Sequence, residues 1–338
     1  MAVTSLPERA VARDISFRGV MRMLAVALPE LELAGDAGRE PSLAALARPT
    51  EPARVISATL VEDGRLRARA VPGNPTVGFG AFLDGTQASR AVYYGEDGAP
   101  VVHGTAAAVV RVRREGRLFT WKHVVESRLY ADRRRIPAAV WSKLSSIGLE
   151  IRDTSDSAEP GTPFDHPFAL RDAAIHRLQK DREKVEESLA SQWCSAASQP
   201  LLIDGGISGA DAVAKASLAI GVIKSHRTLY AEGDALARVF ALARGERSSV
   251  FRVTSPKRTT VASWYLRMRD RRAQDPMWGL VRVEVANADA AERELTARAD
   301  EVSRWILAEA TPIALPDGRW DKMVYGIRDC EEFLKAVT

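Results

Sequence analysis

The apolar residues of this chain change their rhythm near residue 76. From there "VGFGAFLDGT", "SRAVYYG", "VVHGTAAAVVRVRR" and "RLFTWKHVVESRLY" follow as short β-like runs, the last two introduced by the turn sequences "EDGAP" and "EGR". Such runs, punctuated by Gly, Pro and Asp, predict four strands in an antiparallel meander. A polar stretch, "IRDTSDSAEPGTPFDHP" (151–167), interrupts them. The spacing then turns helical, with Leu170, Ala174, Ile175, Leu178, Val185, Leu189 and Trp193 keeping to one face of "FALRDAAIHRLQKDREKVEESLASQWCSAA". "PLLIDGGISG" is almost continuously apolar up to Asp204 and predicts a buried strand running into a loop. Further strands are predicted at "GVIKSHRTLY", "SSVFRVTS", "VASWYLRMRD" and "GLVRVEVAN", and helices at "GDALARVFALARG", "DAAERELTARADEVSRWILAEA" and "RDCEEFLKAV".

Residues 1–75 follow neither rhythm for long. "SFRGVMRMLAVALPELELAG" has helix-like apolar spacing, and "PSLAALARPTEPARV" is punctuated like a linker. The expectation is an N-terminal extension over 1–75 that covers an edge or binds a partner, then an α/β domain over 76–338 with a polar insertion near 151–167. A length of 338 residues allows such an arrangement.

Composition narrows the class. Hydrophobic residues at 46% and charged ones at 27% are ordinary for a globular chain with a sizeable core. Cys194 and Cys330 form neither a disulfide framework nor a C-x-x-C pair, so a reducing cytoplasm is the expected compartment. The start "MAVTSLPERAVARD" has no apolar signal region, and no window approaches the ~18 apolar residues of a membrane span. The pI near 9.1 comes with basic clusters at 111–117, 131–135 and 267–272. Each either neutralises phosphates or is a solvated face. No P-loop or dinucleotide fingerprint is present, and the five histidines lack metal-site spacing, His226 being the one near the candidate chemistry.

That chemistry centres on carboxylates. Asp84 and Asp204 share a context, an apolar strand and then Asp-Gly. Asp-Gly is also a favoured turn pair, so each aspartate alone has a purely conformational reading. The helix carrying "DREKVEE" directly precedes the second strand and offers Glu186 or Glu187 as a third carboxylate. Three converging carboxylates repel one another unless a cation joins them, which points to hard divalent ions such as Mg²⁺ or Mn²⁺. Lys224 lies in an apolar strand pattern and calls for a partner, either a phosphate or a site carboxylate. Arg267 is a candidate phosphate contact, Arg282 and Glu284 a candidate polar network, and Trp264 and Tyr265 either core or a stacking surface.

A strand with Asp, a meander, a helix with Glu and a strand ending in Asp is the element order of the ribonuclease-H-like nuclease fold. Its carboxylates hold two metal ions for in-line attack on a phosphodiester. Within that fold the chain resembles the NurA family, nucleases that act with HerA-type hexameric ATPases in DNA end processing. The resemblance rests on "FLDGT" (82–86), "LLIDGGISG" (201–209), "AIGVIKSH" (219–226), "SWYLRM" (263–268) and "GLVRVEV" (279–285), in that order.

The resemblance implies an Mn²⁺- or Mg²⁺-dependent deoxyribonuclease holding two ions. Asp84 and Asp204 would be metal ligands together with Glu186 or Glu187, Glu183 being the more distant choice, and Lys224, Arg267 and Arg282 would serve the DNA. It further implies a homodimer docked on a HerA-like ATPase, with the N-terminal apolar segment as candidate docking element, in DNA repair or antiviral defence. "MVYGIRDCEEF" (323–333) departs from the family's Tyr-Pro and histidine by having Gly326 and no histidine. Asp329 is the expected substitute ligand, unless it only complements a helix N-terminus. A catalytically weak DNA-binding or regulatory subunit, another two-metal phosphoryl-transfer enzyme and a plain ATPase scaffold are the competing readings.

Overall fold

A computed structural model describes residues 16–30, 33, 53–156, 166–256, 258–271, 274–310 and 324–338. Most of the linker-like stretch 41–55 and residues 157–165 of the polar insertion therefore lie outside the described residues.

In chain order the elements are α1 (Phe17–Ala27), β1 (Arg54–Val55), β2 (Thr59–Leu60), β3 (Ala68–Ala70), β4 (Ala81–Tyr94), β5 (Pro100–Arg114), β6 (Arg117–Ala131), α2 (Ala138–Ser146), β7 (Glu150–Asp153) and α3 (Pro167–Ala196). There follow β8 (Leu201–Asp204), α4 (Asp211–Ala214), β9 (Ala219–Ile223), β10 (Thr228–Leu229), α5 (Gly233–Ala241), β11 (Glu246–Ser248), β12 (Phe251–Val253), β13 (Val261–Arg267), β14 (Leu280–Val285), α6 (Glu292–Glu309) and α7 (Tyr325–Val337).

The expected meander exists, with one change that matters for the site. "VGFGAFLDGT" and "SRAVYYG" are not two strands with a turn between them: β4 runs unbroken through Asp84 and Gly85, and both residues are paired with β5. The turn reading of Asp84 therefore falls. The true turn comes later, at Glu115 and Gly116, whose φ values of 50° and 74° allow Arg114 to face Arg117 across a two-residue hairpin.

The main sheet has the order β2-β12-β13-β14-β9-β8-β4-β5-β6-β7. Strand β4 is antiparallel to β5, and β5 to β6, whereas β8 lies parallel to β4 and β9 parallel to β8. A three-stranded meander extended on its first strand by two parallel strands is a ribonuclease-H-like arrangement within a larger mixed sheet. Strand alternation gives the sheet two apolar faces. Phe82, Leu202 and Ile220 join Val302, Ile306, Ile327 and Cys330 of α6 and α7 on one. Leu83, Ile203 and Tyr265 join Val185, Leu189 and Trp193 of α3 on the other.

The stretch before residue 76 also enters this sheet. β2 pairs with β12 and β3 with β11. Glu62 anchors them: it accepts from Arg247 Nη1 at 2.7 Å and from the Val250 amide at 2.9 Å, while Arg247 Nε also donates to Asp300 at 2.6 Å. Helix α1 buries Val20 and Leu24 at the far end of the meander, against Val92, Val101 and Leu129. Among the described residues no helix is long and apolar enough to cross a membrane.

Candidate functional site

Register places the first two carboxylates. Leu83 pairs with Ile203 in the parallel ladder, so Asp84 and Asp204 follow as neighbours. By alternation both belong to the face of Phe82 and Leu202, under α7. Asp84 is buried, its Oδ1 accepting from the Gly85 amide at 2.8 Å. Burial first, and then the charge of Asp204, push its carboxyl up to about 7, against the pull of Lys224.

Glu186 reaches the same place from the opposite face. A Cβ on Gly85 would stand 1.9 Å from Glu186 Oε1, so the glycine in "FLDGT" is the opening through which the α3 glutamate approaches the strand. Burial pushes Glu186 up to about 8, and the charges of Asp84, Glu183 and Asp204 act in the same direction. Arg182, one turn earlier, opposes this by donating to Oε1 at 2.7 Å. Glu187 points elsewhere: its Oε1 would lie 2.8 Å from a Cβ on Gly209, and Glu183 and Arg258 are the charges acting on it beyond its burial and the nearby Lys184. Lys224 donates to Asp204 Oδ2 at 2.8 Å.

The last helix holds a residue that the sequence reading missed. Asp329 is bound by Arg111 Nε of β5. Glu331 is the α7 carboxylate that acts on Asp84, raising it further. On the helical wheel Glu331 is four residues after buried Ile327 and one after buried Cys330, whereas Asp329 lies at the other edge of the same buried stripe, three residues after Gly326. Gly326 lets α7 sit this close, since a Cβ there would meet the Phe82 ring at 2.3 Å.

The expectation for Arg267 is corrected, and the core alternative holds for Trp264 and Tyr265. Arg267 is fully buried and donates to the carbonyls of Leu242, Phe240, Pro276 and Trp278, which makes it a structural residue shielded from DNA. Trp264 and Tyr265 are fully buried core, Trp264 donating to Ser303 Oγ at 3.0 Å and Tyr265 Oη accepting from the Tyr230 amide at 2.8 Å. Arg282 and Glu284 form the expected polar network. Arg282 donates to Glu284 Oε1 at 2.6 Å, and Oε2 accepts from the Ile207 amide at 2.9 Å, which pins the loop after Asp204. His226 Nε2 lies 2.8 Å from the Leu280 carbonyl, a structural bond.

The basic clusters are partly consumed inside the fold. Arg113 makes a two-pronged bond with Glu309 at 2.7 and 2.8 Å, Arg134 pairs with Asp132 and Arg135 with Asp97.

The donor set suits a hard divalent cation: it offers carboxylate oxygens only, and Asp84 and Glu186 carry raised proton affinities that a cation would relieve. It is not a finished cage, because among the described residues no three acidic, histidine or cysteine side chains stand at ligating geometry. Arg182 and Lys224 occupy the positions of countercharge on Glu186 and Asp204.

Fold and site thus define a mixed α/β protein with a carboxylate cluster where two parallel central strands meet a long helix. No known protein family matches the chain by sequence, and no curated protein does. Among solved structures it is similar to the NurA nuclease from Sulfolobus solfataricus, with 10% identity, 80% of this chain and 86% of that one covered, and a TM-score of 0.43. It is also similar to the catalytic domain of human endonuclease V, with 14% identity, 77% and 84% covered, and a TM-score of 0.29. Both are nucleases, and likenesses this remote say nothing about substrate or partner.

Proposed function

We propose that this chain is a divalent-metal-dependent nuclease that hydrolyses DNA phosphodiesters. The observation that carries the proposal is the placing of Asp84 and Asp204 as neighbours on two parallel strands, with Glu186 close enough to feel both charges and the carboxyls of Asp84 and Glu186 pushed up to about 7 and about 8. Burial is the larger cause of both shifts and neighbouring carboxylates add to it, and a bound cation would offset both.

Asp84, Asp204 and Glu186 would hold the ions, with Glu331 contributing from α7. Bound Mg²⁺ or Mn²⁺ would supply activation of water at neutral pH and stabilisation of the leaving oxygen. The chain's own groups do the rest. Asp84 is fixed by the Gly85 amide, and the Arg282–Glu284 pair holds the loop after Asp204 in place. Lys224 neutralises Asp204 and offers a cation beside the scissile phosphate; Arg182 does the same for Glu186. The ordered motifs that resemble NurA support a HerA-like ATPase as partner and a homodimer as the assembly.

A second reading has specific support: Arg182 and Lys224 already satisfy Glu186 and Asp204, as expected of a DNA-binding subunit with weak or no catalysis. One experiment separates the two. Purified protein is incubated with labelled single- and double-stranded DNA and Mn²⁺, with and without a HerA-like ATPase, alongside Asp84→Asn. Cleavage abolished by the substitution supports the nuclease. Cleavage that persists refutes the site, and none with the ATPase present favours the subunit reading.

A further inference from the structure

Beside the carboxylates lies a cavity of about 220 Å³ that the proposed chemistry does not use. It opens on the Tyr265 and α3 face of the sheet, the face from which Glu186 approaches, and Gly206 and Ser208 of the loop after Asp204 form part of its wall. Arg54, Arg227, Arg258 and Arg282 line it together with one carboxylate, Glu284, a formal charge of +3. Glu284 is already neutralised by Arg282 and the Ile207 amide. Arg258 also acts on Glu187 at the rim.

Arg54 and Arg227 carry the argument. The Arg54 amide donates to the Arg227 carbonyl at 2.9 Å in the parallel β1/β10 pair, which sets the two residues side by side. Both are exposed, and among the described residues neither guanidinium has an ion pair. Like charges gathered at the mouth of a concave site raise the local positive potential and make it an anion receptor. The one aromatic lining residue, Tyr230, has no face to offer a base: the Arg282 guanidinium lies 4.9 Å from its ring and Phe251 stacks on it at 5.7 Å. Charge and hydroxyls without a stacking platform select phosphate rather than nucleobase.

We propose that this cavity receives the terminal phosphomonoester of a nucleic-acid end and so positions that end against the carboxylates. The proposal rests on the nuclease reading above, since the end's adjoining phosphodiester is what the carboxylates would act on. A phosphomonoester carries roughly −1.5 to −2 at neutral pH, against about −1 for an internal phosphodiester, and so answers the excess positive charge more fully. The volume is below the roughly 300 Å³ at which sites for drug-sized ligands begin, which suits a phosphate with its adjoining sugar.

The test is fluorescence anisotropy in EDTA at fixed salt, using the full chain and one short single strand with a 5′-phosphate, a 3′-phosphate or no terminal phosphate. One phosphorylated form should bind about tenfold tighter than the unphosphorylated strand, as expected for a charge-assisted contact. Inorganic phosphate should compete. Arg54→Gln and Arg227→Gln should each erase that preference while leaving the unphosphorylated strand's affinity nearly unchanged. Equal affinity for all three strands, or a preference that survives both substitutions, overturns the proposal. A uniform loss across all three strands also overturns it and assigns the arginines to internal phosphates. Cleavage with Mn²⁺ is measured in parallel. End preference in a chain that never cleaves refutes the nuclease reading alone, and cleavage without end preference refutes the pocket alone.

Discussion

Replacing Asp84 with Asn should stabilise the metal-free protein at alkaline pH while removing its activity. In the fold the carboxyl is pushed from 3.8 to about 7, chiefly by burial and the neighbouring Asp204 charge. A folded-state value above the unfolded one means that the fold holds a proton that the unfolded chain has released. Stability is therefore full below about pH 4 and falls as pH rises to about 7, the window set by those two values. The interval spans about three decades of proton affinity, and at about 1.4 kcal/mol each the loss is on the order of 4 kcal/mol. Against a typical total of roughly 5–15 kcal/mol, this is large enough to measure. Asn keeps an acceptor for the Gly85 amide and has no charge to lose. Urea unfolding in EDTA, followed by tryptophan fluorescence at pH 4 and pH 8.5, should show Asp84→Asn matching the wild type at the lower pH. At the higher pH it should be more stable by about 2–4 kcal/mol. Added Mn²⁺ should raise the wild-type midpoint at pH 8.5 more than that of the variant, as selective binding to the folded state requires. If Asp84→Asn is destabilising at both pH values, or the wild type is equally stable at both, the charge is not held at the expense of the fold and the cation argument fails.

Gly85→Ala should abolish cleavage even though it changes no polar group, because its Cβ would collide with Glu186 Oε1; a nuclease assay beside a circular-dichroism melt separates this from unfolding. Glu331→Gln should lower Mn²⁺-dependent activity at least tenfold while Asp329→Asn, freed from Arg111, leaves turnover nearly unchanged, and the reverse ranking would restore Asp329 to the site. Arg267→Met leaves the carbonyls of Leu242, Phe240, Pro276 and Trp278 without their shared donor and should lower stability by about 3–5 kcal/mol in urea. If instead that variant folds normally and loses DNA affinity with a reduced salt slope, the buried structural role is refuted.

What the sequence revealed, and what it hid, follows from the range of the interactions. The meander, the long helix and the strand ending at Asp204 are written in local apolar rhythm and turn residues, and they emerged within a few residues of their observed bounds. Asp-Gly was misleading at Asp84 because a turn pair and a mid-strand site look alike in one dimension. The difference is the Glu186 side chain above Gly85, about a hundred positions away in the chain. Glu186 and Glu187 stood level because the buried stripe passes beside both, at Val185 and Leu189, and only the approach of the helix to β4 separates them. Arg267 was misread for a related reason. An arginine in an apolar strand reads as functional when its partners are invisible, and here those partners are carbonyls supplied by α5, the residue after it and the segment before β14. Glu331 is the instructive miss, since its position relative to Ile327 was available from helix geometry alone. The arginine-lined cavity was beyond any such correction: Arg54, Arg227 and Arg258 lie in none of the basic clusters, and only the folding of β1 onto β10 brings the first two together. The conspicuous runs of arginine are partly spent on internal pairs, as Arg111 and Arg113 are on Asp329 and Glu309, whereas the cavity proposed to receive phosphate is lined by arginines scattered along the chain.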